Sequence, residues 1–177
     1  MNMTTFDFGY GPVPAHQHSH GGGWVADTAK VAGTAYVGPD AQVYGDAIVS
    51  DDAQVYGNAQ VYGDALVSGD ARVSGAAQVS DDVQVYGNAW IFGSARVSGH
   101  ALVFDNAMVS GSAQVSGAAQ IYGNAWVFGD AWVSGDARVS GDARVSGEAQ
   151  VYGDARASQE DMFIEMSGKR YKLVEVE

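Results

Sequence analysis

The stretch 53–80, AQVYGNAQVYGDALVSGDARVSGAAQVS, decides the fold. It is nearly one six-residue word written over and over, with alanine at every sixth position and valine two places later. Working outward, the same word runs without insertion or deletion from Gly23 to Glu160, twenty-three times in phase. Its first letter is Ala except at Gly23 and Val83, and its third is Val or Ile except at Ala157. Letters two and four vary, and letters five and six are mostly Gly followed by Asp, Asn or Ser.

Residues two apart on an extended chain share a side, so Ala and Val of each word face one way and letters two and four face the other. Gly-Asp and Gly-Asn supply residues that tolerate positive φ, so the chain turns after each short strand. A short strand and a corner, repeated, make a coil. The strict period of six, with an aliphatic residue and a small one four places later, resembles the hexapeptide repeat of left-handed parallel β-helices, where three words complete one triangular turn. A period of five or nine, as in other β-coils, is excluded by the count. The resemblance implies an all-β, single-stranded left-handed parallel β-helix over residues 23–160. An N-terminal cap segment would occupy 1–22 and a C-terminal β-hairpin cap 161–177.

Three words per turn place residue i beneath residue i+18. At a strand spacing of about 4.8 Å, the coil has roughly 7.7 turns and a length of ~37 Å. Its core is thin, made of Ala and Val, and gains stability by stacking rather than by globular bulk. Both ends of such a rod leave strand edges to be covered. The stretch 162–176, MFIEMSGKRYKLVEV, reads as two strands around Ser167-Gly168-Lys169 and suits the C-terminal end. The aromatics, prolines and glycines of TTFDFGYGPVPAHQHSHGG suit the other.

Composition narrows the function classes. The chain has 177 residues, no cysteine and a net charge of −12. Disulfides and thiolate metal sites are therefore out, and binding to nucleic acid or anionic lipid is disfavoured. No long apolar run or signal-peptide pattern is visible, so the expectation is a soluble protein of the cytoplasm or of a particle, without membrane association.

The outward letters sort onto three faces. The first carries Tyr36, Gln54, Arg72, Trp90, Met108, Trp126 and Arg144 at letter two, with Tyr56, Ser74, Phe92, Ser110, Phe128 and Ser146 at letter four. Trp90, Phe92, Met108, Trp126 and Phe128 are thus expected to form one apolar patch. The second face shows Ile48, Leu66 and Leu102 with Tyr86, Phe104 and Tyr122, and the third is more polar, with Gln42, Gln60, Gln78, Arg96, Gln114 and then Trp132. An aromatic patch of this kind marks an interface. Since hexapeptide-repeat proteins commonly assemble as trimers, the patch, with Leu102 and Phe104 on the adjoining face, is read as a homo-oligomer or partner contact. At the corners, Asn88, Asn106 and Asn124 are expected to hydrogen-bond along the rod. The stacked aspartates are read as solvated or paired with arginines such as Arg138 and Arg156.

Candidate chemistry sits at two places. His16, His18 and His20 alternate, and on an extended strand three neutral imidazoles on one side suit a transition metal. A single chain would leave the site incomplete, but three chains meeting at an axis would surround one ion with His-x-His pairs, an arrangement that resembles the metal-bearing tips of some trimeric phage fibres and spikes. Most hexapeptide-repeat enzymes are acyltransferases using acetyl-CoA or another acyl-CoA, with a histidine as general base. The resemblance assigns that role here to His100, one rung beyond an orienting Asp82. Against this, an uninterrupted coil offers shallow grooves rather than a concave pocket. Coils of this regularity are similar to small hexapeptide-repeat proteins of phages, prophages and enterobacterial genomes, often labelled transferases by fold alone. The leading expectation is a non-enzymatic homotrimeric structural or binding module, plausibly phage-encoded, engaging a host protein. The alternative is a CoA-dependent acyltransferase.

Overall fold

The computed structural model describes residues 4–158, 161–166 and 169–172, the last two ranges as backbone strands. The expected hairpin turn at Ser167-Gly168 and the end of its second strand lie outside the described residues. The chain is an all-β parallel solenoid of about eight turns, with no helix among the described residues. Letters two and three of each word form a strand. Strands eighteen residues apart pair in parallel, as in Trp90↔Met108↔Trp126 and Gln78↔Arg96↔Gln114. Three sheets result, of seven strands on the first face and ten on each of the other two.

The physical driver is the two-residue alternation. Every Ala and Val from Ala35 to Val139 that the word turns inward is fully or almost fully excluded from water, with Ile91 and Ile121 the largest among them. Burying one valine is worth about 1.5–3 kcal/mol, and because each rung covers the one before it, the burial is repeated along the rod. Backbone hydrogen bonds tie rung to rung, for instance Arg72 N–H to Ala89 O and Ser74 N–H to Ile91 O, both 2.9 Å.

Corners are made by letter five. Its glycines lie at φ of +62° to +73° from Gly45 to Gly153, and the three positions in that span where aspartate replaces glycine, Asp51, Asp81 and Asp105, adopt the same conformation at +57° to +60°. Letter six does not take positive φ, so the turn belongs to the Gly alone and not to the Gly-Asp or Gly-Asn pair expected from the sequence. Aspartate succeeds at letter five because its side chain finds a partner. Each carboxylate accepts the N–H of the glycine eighteen residues on, Asp51 from Gly69, Asp81 from Gly99 and Asp105 from Gly123, at 3.0–3.1 Å. Asparagines behave as expected at letter six: Asn88 donates to Asn106 (3.2 Å), Asn106 to Asn124 (3.1 Å), and Asn124 to Asp142 (2.8 Å).

The N-terminal end is covered by a hairpin. Strands β1 (Thr5–Asp7) and β2 (Pro12–Gln17) pair antiparallel, and β2 pairs antiparallel with β3 (Trp24–Ala26), the first strand of the third face. Asp7 accepts the N–H groups of Gly9 and Gly11 at 2.8 and 2.9 Å, closing the tip and lowering its own carboxyl pKa. The segment after β2 then covers the first edge of the first face: Val37 donates to His20 O and Gly23 to Val37 O. This approach explains one break in the repeat. A Cβ on Gly23 would lie 2.2 Å from Gly38 O, so the alanine of every neighbouring word cannot stand here. At the other end the strand Asp161–Met166 pairs antiparallel with Arg156–Ser158 and with Lys169–Lys172.

The hairpin also packs sideways. Phe6 stacks on Trp24, and Phe8 meets Tyr44, which stacks on Tyr62 at 4.9 Å and 6°. Burial, with smaller contributions from the neighbouring Tyr62 and Tyr10, pushes the Tyr44 phenol from 10.0 up to about 12. The folded chain therefore keeps a proton that the unfolded chain loses first. The associated stability is present below about pH 10 and disappears as pH rises to about 12, an effect on the order of 2 kcal/mol. Thermal unfolding followed across that window should show a steeper alkaline decline in the wild type than in Tyr44→Phe.

Candidate functional site

Three surfaces carry the residues singled out by sequence. On the first face Trp90, Met108 and Trp126 lie in register on successive strands. Trp90 lies against Phe92 at 4.4 Å and Trp126 against Phe128 at 4.5 Å, while Arg144 rests 5.9 Å above the Trp126 ring. All five apolar residues are half-buried within the single chain, rather than standing free of it. The reason is a contact that the repeat does not announce: Trp90 Nε1 donates to Ser74 Oγ at 3.1 Å and Trp126 Nε1 to Ser110 Oγ at 3.0 Å, drawing each indole down over the previous rung. Both serines are buried. Leu102 and Phe104 occupy the adjoining face, with Phe104 between Tyr86 and Tyr122 in a parallel stack at 5.0 Å. Burial, with the nearby Asp105 charge adding to it, raises the Tyr86 pKa.

The histidines do not form the expected row. The strand ends at Gln17, and residues 18–22 form a tight turn in which Gly22 donates to His18 O. His16 is exposed, with Nδ1 2.9 Å from Asp27 Oδ1. His18 is buried against the turn, its Nδ1 accepting from His20 N–H at 3.3 Å. His20 points to the first-face edge, with Nδ1 3.1 Å from Ala35 O and its ring edge-on to Tyr36. Three imidazoles share one side only while the strand stays extended, and the turn removes that condition. Among the described residues no group of three metal-ligating side chains converges within the chain.

His100 and Asp82 do meet. His100 Nδ1 lies 3.3 Å from Asp82 Oδ2, one rung apart on the corner after the third face, and both side chains are more than half exposed. The arginines named for the aspartate ridges, Arg138 and Arg156, make no salt bridge among the described residues; on the ridges themselves Asp82 meets His100 and Asp142 accepts from Asn124.

A further surface was not anticipated. On the third face a trough of about 320 Å³ lies over five rungs, floored by Ser80, Ser98 and Ser116 and flanked by Gln78, Arg96 and Gln114. Tyr62 closes one end and Trp132 the other. The trough exists because letter four is serine on four successive rungs, Ser80, Ser98, Ser116 and Ser134, between Tyr62 and Tyr152. The only signal in the sequence was that run of serines beside Trp132.

Comparison with known families places the architecture. A model of the YdcK β-solenoid repeat matches residues 41–57, 53–66, 59–75, 67–81, 83–99, 101–117 and 119–135, together just over half of the chain. The chain belongs to the YdcK β-solenoid repeat family. The last three YdcK matches begin eighteen residues apart, at 83, 101 and 119, so each of these three corresponds to one turn of the solenoid. The YdcK repeats span the first-face patch and the residues that line the trough, but not Asp82, His100 or the hairpin that carries His16, His18 and His20. No curated protein matches the chain.

Proposed function

We propose that the protein is a non-enzymatic structural and binding module that assembles as a homotrimer through its first face. A phage particle or the host cytoplasm is the setting this reading favours, with a host protein as partner. One observation carries the assembly. The indole N–H groups of Trp90 and Trp126 are both satisfied inside the chain by Ser74 and Ser110, so this aromatic face can be dehydrated without leaving a buried donor unpaired. A rigid sheet holds the rings in place, so little side-chain entropy remains to be lost on contact.

Changing Trp90 and Trp126 together to Glu should reduce the mass in light scattering to that of one chain. Loss of two interface tryptophans costs at least about 4 kcal/mol, roughly a thousandfold in dissociation constant. The monomer should stay folded because both rings lie outside the Ala/Val core. An unchanged mass would overturn the assembly.

The Asp82–His100 contact supports a second reading, a CoA-dependent acyltransferase with His100 as general base and Asp82 holding its ring. Acetyl-CoA at a hundred times its dissociation constant would then stabilise the protein by about 2.7 kcal/mol, and the gain in thermal midpoint would accompany turnover that His100→Ala abolishes.

A further inference from the structure

We infer that the trough on the third face binds a neutral oligosaccharide lying along the rod. This deepens the binding-module reading and rests on it, but uses a different surface from the proposed trimer contact.

The trough combines two kinds of group. At its end stands Trp132, 49% exposed and with no ring partner among the described residues, unlike Trp24, Trp90 and Trp126, which all pack against another ring. Along its side run Gln78, Arg96 and Gln114, directly above one another in the sheet. Arg96 makes no salt bridge among the described residues. The Gln78 and Gln114 amides offer both donors and acceptors, and the Arg96 guanidinium between them offers donors. A pyranose chain matches this arrangement: each ring presents a patch of C–H groups that stacks on an indole and a rim of hydroxyls that both donate and accept. From the Tyr62 rung to the Trp132 rung the trough covers four strand spacings, about 19 Å, so the ligand is a chain rather than a single sugar.

Other ligand classes fit less well. A peptide adding itself to the sheet needs a free strand edge, whereas the strands Gln78–Val79, Arg96–Val97 and Gln114–Val115 are each paired on both sides. A nucleic acid or acidic glycan would meet one arginine on a chain of net charge −12, with Asp82 on the adjoining corner.

The test uses the full chain and cello-oligosaccharides from the dimer to the hexamer, with oligogalacturonates as acidic counterparts, followed by titration calorimetry. A printed array of neutral and acidic glycans widens the search to other linkages. Affinity for a neutral glycan should grow with chain length and level off once the ligand spans the trough. Trp132→Ala should weaken it at least tenfold and Arg96→Leu severalfold, while Ile48→Ala, on the second face and outside both proposed surfaces, leaves it unchanged. Trp132 is outside the core, so its variant should keep the wild-type thermal midpoint and oligomeric mass, which separates failure here from failure of the trimer. Absence of neutral-glycan binding across the array, preference for acidic glycans, or full binding by Trp132→Ala would each overturn the inference.

Discussion

Excising residues 95–112, one full turn, should leave a folded solenoid shorter by a single rung, whereas deleting Ala113 alone should destroy the coil beyond it. The two outcomes follow from registry. After the eighteen-residue excision, Gln114 lands over Gln78 and Val115 over Val79, the same face and the same inward side as before. Only one nearest-neighbour interface is lost, as expected for a one-dimensional array. After the single deletion, Val115, Ile121, Val127, Val133, Val139, Val145 and Val151 lose their inward position. These side chains are at most 3% exposed in the native chain. At about 1.5–3 kcal/mol each, exposing even half of them exceeds about 5 kcal/mol, the lower end of a domain's total stability. A bulge cannot rescue the register, because bulges accommodate an added residue and not a missing one. Far-ultraviolet circular dichroism and limited proteolysis distinguish the results: a resistant core of near-native β signal for the long excision, cleavage downstream of residue 113 for the short one. Equal behaviour of the two variants would contradict the registry.

The second large effect is at a corner. Gly117→Ala should destabilise the protein by about 2–5 kcal/mol, and Gly117→Asp by distinctly less. Gly117 sits at φ +69°, where an L side chain costs about 1–2 kcal/mol, and its Cβ would lie 2.8 Å from N and 2.9 Å from O of Gly135. Shifting two rungs of backbone to relieve that contact adds a cost of about 1–3 kcal/mol, as for other overpacked sites. Aspartate meets the same strain but brings compensation. Its carboxylate can accept the Gly135 N–H in the way that Asp81 accepts Gly99 N–H at 3.0 Å and Asp105 accepts Gly123 N–H at 3.1 Å. Urea denaturation of the two variants gives the comparison directly. A ranking with alanine above aspartate would show that the corner carboxylates contribute nothing.

The parts of the molecule that could be read in advance share one property: they depend on period alone. The placing of Trp90, Met108 and Trp126 in one column needed nothing beyond an eighteen-residue repeat, and the same is true of the Asn88, Asn106 and Asn124 ladder and of the His100–Asp82 contact. What could not be read depends on where side chains lean. The donation from Trp90 to Ser74 joins positions sixteen residues apart, a diagonal between letters two and four, and turns an apparently free aromatic patch into a half-buried one. His16, His18 and His20 scatter because the chain must reverse at Gly21 and Gly22 to reach the solenoid edge, a demand set by the first turn and not by the histidines' own spacing. Asp51, Asp81 and Asp105 stand where the word otherwise has glycine, and their purpose emerges only when the glycine N–H one rung away is in place.

The period of six, by itself, determined that this chain is a parallel β-solenoid, which residues face inward, and which side chains stack. A two-residue alternation and a regular corner leave one economical way to bury alanine and valine. Tertiary structure alone decided what the outer surface can do: the internal satisfaction of the indoles, the trough between Tyr62 and Trp132, and the hairpin folded over the first turn. Those features arise between residues on different rungs and of different letters, where shape and hydrogen-bond direction act, and a one-dimensional repeat carries no record of either.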